Sequence, residues 1–292
     1  MPNTLQNLDW DTLLPRIREG KCTPFIGAGA CEGSLPLGAQ IAQEWAQEHG
    51  YPLEDESDLA RVAQYLAVTH DPMFPKETLI RRFQESDCQQ PDFGEADEPH
   101  SVLAKLPLPV YLTTNYDDFM VRALRSGGKD PHREICRWNR FIEQEPSVFD
   151  LEEGFEPTVA RPVVFHLHGR EDLAESLVLT EDDYLDFLVS VWRRQVLPLR
   201  IERALSGASL LFVGYSLRDW TFRVLFRGIV GSMEGSLRRI SIAVQLGPDN
   251  ANARRYLDSY YNHLDVKVYW GTARQFAAEL ATRWRAFCGH GA

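Results

Sequence analysis

Thr114-Asn115-Tyr116-Asp117 and His166-Leu167-His168-Gly169 each close a short apolar run with groups that donate, accept or carry protons. Histidine is the side chain best suited to take up a proton near neutral pH, so His168 is a candidate general base. Asn115, on a turn, can hydrogen-bond a hydroxyl group or a water, and Asp117 can hold an amide or stabilise developing positive charge. Two glycine turns accompany them, Gly27-Ala28-Gly29 after the run ending at Ile26 and Gly214-Tyr215-Ser216 after the run ending at Val213. Glycines let backbone come close to a ligand, and a helix N-terminus beyond the turn offers unpaired N–H groups to an anion such as a nucleotide phosphate. The spacing Gly27-x-Gly29-x-x-x-Gly33 is looser than the dinucleotide fingerprint. An acidic strand end about 20 residues further on, which an ordinary dehydrogenase needs, is not evident.

Each residue also has a plainer reading. The first glycine turn could serve only to pack a helix on a strand. Thr114 and Asp117 stand at capping-box spacing, and His168 could be a core histidine at a strand end. His166 shares the strand face of His168 and reads as structural; the His-x-His spacing lacks evident carboxylate or cysteine partners, so no metal is expected. Cys31, with no histidine identifiable beside it, reads as a small loop residue rather than a nucleophile.

The elements that must position these turns follow from periodicity. Residues 9–19 place Trp10, Leu13, Leu14 and Ile17 on one helical face that should pack on the first strand. Helical patterns at about 39–49, 57–69 and 76–86 follow the glycine turn, with Ser57 as N-cap of the second. They postpone the next strand and form a helical insertion at about 39–106, a small lobe over the site. A loop over 86–99 and a short helix over 100–106 lead to the strand Pro109–Thr113 and a helix over 118–125. An irregular stretch over 126–161, with a short strand near Arg133–Cys136, precedes the strand at 162–169. Thr180 and Asp183 make a capping box opening a helix, with further helix around Pro198. Strands at 209–214, 240–245 and 265–269 then alternate with helices at about 216–229, 250–259 and 272–286. Strands alternating with helices predict an α/β fold, a Rossmann-like, doubly wound parallel sheet, here read as one domain over 1–292. All four polar turns would then meet at the carboxyl edge, where open α/β sheets bind ligands.

Composition narrows the classes. Apolar residues make 44% of the 292, and no run approaches the length of a membrane span. The N-terminal stretch lacks a basic region leading into an apolar one, so a cytoplasmic protein is expected. Acidic residues outnumber basic ones by 42 to 31, which argues against a broad nucleic-acid-binding face. The five cysteines are scattered and never spaced Cys-x-x-Cys, suggesting reduced thiols rather than a disulfide framework or zinc ribbon.

Taken in order, the four turns resemble the sirtuin superfamily, and more closely the SIR2-like branch found in bacterial anti-phage defence proteins. The resemblance implies that Gly27, Ala28 and Gly29 hold the pyrophosphate of NAD, that Asn115 and Asp117 face the nicotinamide and its ribose, that His168 is the catalytic base, and that Gly214 and Ser216 touch the adenosine side. Two departures count against protein deacylation: the zinc ribbon is missing, and Leu35-Pro36-Leu37-Gly38 stands where deacylases carry Asp-Phe-Arg. What the resemblance implies is an NAD glycohydrolase, with NAD as substrate, held inactive until infection as an abortive-infection effector. It further implies a homo-oligomer or a partner such as an ATPase, an Argonaute-like protein or a sensor subunit. A non-catalytic sensor of NAD or ADP-ribose, and a deacylase or ADP-ribosyl transferase, are the alternative readings.

Overall fold

The computed structural model of the chain describes residues 7–85, 88–194, 197–215, 241–247 and 250–289. Its centre is a seven-stranded sheet in the order β3-β4-β2-β1-β5-β6-β7, with every pairing parallel. The strands are β1 Cys22–Ile26, β2 Val110–Thr113, β3 His132–Ile135, β4 Val163–His166, β5 Ser209–Val213, β6 Ser241–Gln245 and β7 Val266–Trp270. Apart from β7 and the outer strand β3, every strand residue is buried, the pattern of a sheet covered on both faces.

Alternation along the strands divides the core in two. Tyr111, Val164 and Leu211 point into one layer with Trp10, Leu13 and Ile17 of helix α1 (Asn7–Arg18) and with the C-terminal helix Ala273–Gly289. Leu112, Phe165 and Phe212 point into the other, where they meet Phe187, Ile201 and Leu205. The doubly wound parallel sheet expected from the strand–helix alternation is therefore the fold. The segment expected to be helical over about 216–229 lies outside the described residues.

After β1 come α2 (Gly38–His49), α3 (Leu59–Thr69) and α4 (Phe74–Phe83). Ile41, Trp45, Val62, Leu66 and Leu79 give these helices a core of their own, closed by Leu177 and Leu179. The N-cap of α3 is Asp58 rather than Ser57: its carboxylate accepts from the N–H groups of Ala60 and Arg61, leaving Ser57 one residue outside the helix. Helix α5 (Pro99–Ala104) instead buries Val102 and Leu103 in the main core and packs on α6 (Phe119–Ser126). A one-turn helix α7 (Val148–Leu151) interrupts the irregular stretch, and α8 (Glu181–Arg194) and α9 (Leu199–Ser206) lie between β4 and β5. The Thr180–Asp183 box forms as expected, Asp183 N–H donating to Thr180 Oγ1 at 3.1 Å and Thr180 N–H to Asp183 Oδ2 at 3.0 Å.

Register aligns the functional turns. Ile26 stands level with Thr113 and Val213, and Thr113 with His166, so β1, β2, β4 and β5 all end at one height. Strand order reverses between β1 and β5, and the loops leaving these strands frame the crevice that such a reversal opens.

Candidate active site

At that crevice the two glycine turns touch. Gly27 N–H donates to Val213 O and Gly29 N–H to Gly214 O, both at 2.9 Å. A Cβ on Gly27 would lie 2.8 Å from Gly214 O, and one on Gly214, whose φ is +80°, would lie 2.3 Å from Ala30 N. Glycine is thus required here by loop-on-loop packing as well as by any ligand. Of the three residues expected at a pyrophosphate, only Ala28 keeps a backbone N–H without a partner among the described residues. Ala28 opens a single 3₁₀ turn ending at Cys31. Ser216 lies outside the described residues.

Asn115 is fixed from three directions. Its N–H donates to Thr113 Oγ1 at 2.9 Å, its carbonyl accepts from His166 Nδ1 at 3.2 Å, and its side-chain Nδ2 lies 3.2 Å from Cys31 Sγ. Arg133 Nε donates to the other ring nitrogen of His166, at 3.4 Å. Both nitrogens are therefore engaged, and burial, reinforced by the Arg133 charge, pushes His166 down to about 3. His166 is a structural support for Asn115, as its sequence context suggested.

Asp117 is 6% exposed; Oδ1 accepts the Phe119 N–H at 3.0 Å and Oδ2 accepts the Cys31 S–H at 3.3 Å. The Thr114–Asp117 capping box does not form. Thr114 donates instead to Tyr215 Oη at 3.0 Å, and Tyr215 donates on to Ile26 O at 3.2 Å, so the long-range contact across β1 and β5 wins over the local one. Cys31 also corrects its sequence reading: His100 Nε2 stands 4.0 Å from its sulfur, and Glu98 holds His100 Nδ1 at 2.7 Å. The Cys31, His100 and Asp117 ligand atoms lie within 4.8 Å of one another, a spacing that metal sites share. Burial, with the Asp117 charge beside it, drives the Cys31 pKa well up. The helix start at Glu98-Pro99-His100 gave no hint of this contact, because 69 residues separate the two side chains.

His168 leaves β4 with Leu167 N–H bonded to Thr113 O at 2.8 Å and its own carbonyl accepting from Val178 N–H at 2.9 Å. The next residue must be glycine: Gly169 has φ +91°, and a Cβ there would sit 2.2 Å from Ser176 O. The imidazole packs edge-on against Tyr184 and Phe187, with centroids 5.3 and 5.1 Å away. Among the described residues it forms no hydrogen bond. Burial alone pushes its pKa down to about 3, so the ring is a neutral proton acceptor at physiological pH.

These groups line one cavity of 1360 Å³, into which Gly27–Gly29, Asn115, Asp117, His168 and Gly214 all open. Three further walls could not be read from motifs. Gln245 at the end of β6 and Leu246 after it, with Thr272 after β7, form one end; the start of α2 at Gly38 and Ala39 flanks the glycine seam; and Asp58–Arg61 of the insertion faces Glu181 and Asp182 of α8 across the mouth. No described helix is long and apolar enough to cross a membrane.

A family model described as a SIR2-like domain matches residues 109–264, just over half of the chain. The chain belongs to the SIR2-like family. The matched stretch includes Asn115, Asp117, His168 and Gly214; Gly27–Gly29 lie outside it and pack on Gly214. Curated relatives include NAD(+) hydrolase ThsA of Cytobacillus dafuensis, 26% identical over 256 residues that cover 86% of this chain and 44% of that protein. Proteins of the same name from Acinetobacter baumannii and Enterococcus faecium are each 26% identical, covering 73% and 70% of this chain and 40% and 38% of their own. This SIR2-like chain thus spans about two fifths of the length of the curated relatives it matches.

Proposed function

We propose that this chain is an NAD glycohydrolase, breaking the bond between nicotinamide and ribose to release nicotinamide and ADP-ribose. The observation that carries the reading is the convergence of Asn115 and a buried His168 on one cavity beside the glycine seam. Relatives named NAD(+) hydrolase support it. Bond breaking passes through an oxocarbenium-like state, so the site must hold the ribose, tolerate positive charge and activate a water. Asn115 would orient the ribose hydroxyls or the water, and His168 would take the proton. Bringing two phosphate charges into the cavity raises the basicity of His168, moving it toward the range useful for catalysis. Asp117 would offer its negative charge to the nicotinamide side. The pyrophosphate would lie at Gly27, Ala28 and Gly29, where the Ala28 N–H is free among the described residues, and the adenosine side at Gly214 and Ser216.

The same reading makes the chain one SIR2-like domain over 1–292, with helices α2 to α4 of the insertion expected at about 39–106 as part of the cavity rim. It acts in the cytoplasm as an effector of anti-phage defence, restrained through self-association or a partner protein. Nicotinamide release from NAD by the wild type, abolished in His168→Ala, is the expected result. Wild type that binds NAD without turnover, alone or at high protein concentration, would convert the reading to a non-catalytic sensor.

A further inference from the structure

Cys31 projects from the glycine turn into the space between Asn115 and Asp117, and no residue role assigned above uses it. The direction of its hydrogen bonds follows from elementary donor and acceptor counting. A carboxylate only accepts, and a thiol has one proton to give. Asp117 Oδ2 lies 3.3 Å from the sulfur, so the S–H goes there. The sulfur can then only accept from its other neighbour, and Asn115 must turn its Nδ2 toward it, at 3.2 Å. Asn115 Oδ1 is left with no partner among the described residues and is not sealed off, on a residue that lines the cavity. His100, 4.0 Å away and held by Glu98, closes the far side of the sulfur.

From this geometry we infer that Cys31 is a positioning residue that fixes the flip state of the Asn115 amide, presenting Oδ1 as an acceptor to a substrate hydroxyl or water while pinning Asp117. The inference rests on the proposed reaction for its kinetic consequence, but the amide orientation stands independently of it. Without the sulfur, the amide loses the partner that distinguishes its two ends, and either oxygen or nitrogen can face the cavity. An acceptor in the right place would then be present only part of the time, which lowers kcat more than it weakens ground-state binding.

Two variants and two readouts test this. Cys31→Ala removes both hydrogen bonds, and Cys31→Ser restores a group that donates and accepts. In NAD turnover, Cys31→Ala is expected to lower kcat by about 10- to 100-fold with KM changed less than about threefold, and Cys31→Ser to recover most of the loss. The second readout is the side-chain amide signal of Asn115 by NMR, assigned through its loss in Asn115→Asp. It should be shifted and less protected from exchange in Cys31→Ala and close to wild type in Cys31→Ser. Unchanged Asn115 signals in a folded Cys31→Ala, or wild-type kcat in that variant, would overturn the inference. If the wild type proved inactive on NAD, the proposed reaction would fail while the NMR comparison would still decide the role of Cys31.

Discussion

His166 and His168 are both buried at the end of β4, and burial acts on each through its proton. Each is pushed from an ordinary value of 6.5 down to about 3, so each folds as the neutral ring. Above about pH 6.5 the folded and unfolded chains are alike in this respect. As the pH falls from there toward 3, the unfolded chain takes up protons that the folded chain refuses, and stability declines by up to ~1.4 kcal/mol per pH unit for each histidine. Urea unfolding of wild type at pH 7, 6 and 5 should show this decline, and His168→Gln should reduce its slope by about one histidine's share. An unaltered slope in that variant would mean that His168 takes up protons alike in the folded and unfolded chains, so that burial does not depress it. Gly169 belongs to the same scale: Gly169→Ala cannot be accommodated beside Ser176 O and should both destabilise the protein and displace His168, measurable as lost turnover together with a lower unfolding midpoint.

Between elements, the tie that matters most is the one joining the insertion to α8. Lys76 of α4 donates to Asp183 Oδ1 at 2.8 Å, with the two side chains 8% and 14% exposed, while Asp183 Oδ2 caps the start of α8. Removing the carboxylate leaves Lys76 charged and buried and uncaps a helix at once. Asp183→Ala should therefore cost about 3–5 kcal/mol, against which Asp183→Asn, keeping the cap, should recover a part. Equal losses from the two variants by chemical denaturation would show that the ion pair dominates. Asp183 also shows what the chain reveals unaided: its cap on Thr180 was legible because both partners lie within one turn. The strands at 109–113, 162–169 and 209–214 were legible for a similar reason, each a short apolar run between breakers. Thr114 misled, because the same local spacing was overruled by Tyr215, 101 residues away. Cys31 was unreadable for that reason too, since its partners arrive from β2 and α5 only after the sheet is assembled. The turns that make the site could be read; the contacts that orient its side chains could not.

Over the whole molecule, charge sets how an anionic substrate must be met. The chain carries a formal net charge of −11, and among the described residues Arg61 is the only lysine or arginine in the cavity wall. Arg61 is already engaged, bonded to Asp55, with Asp58 at 3.7 Å and Glu181 at 3.4 Å. On the proposed reading, a pyrophosphate entering here meets, among the described residues, backbone N–H groups and helix ends rather than free lysine or arginine, in a chain of net negative charge. Sites that clamp phosphate with free lysine and arginine lose affinity as salt rises; this one should do the reverse, because screening weakens the repulsion more than it weakens short backbone contacts. The expected outcome is a KM for NAD that falls by about two- to threefold as ionic strength rises from 0.01 to 0.15 M, the range over which the Debye length shrinks from about 30 to 8 Å. Arg61→Ala, which leaves Asp55, Asp58 and Glu181 uncompensated at the mouth, should raise KM at low salt and steepen that fall. A KM that instead rises with salt, and loses its salt dependence in Arg61→Ala, would show that Arg61 leaves its carboxylates to hold the phosphates directly.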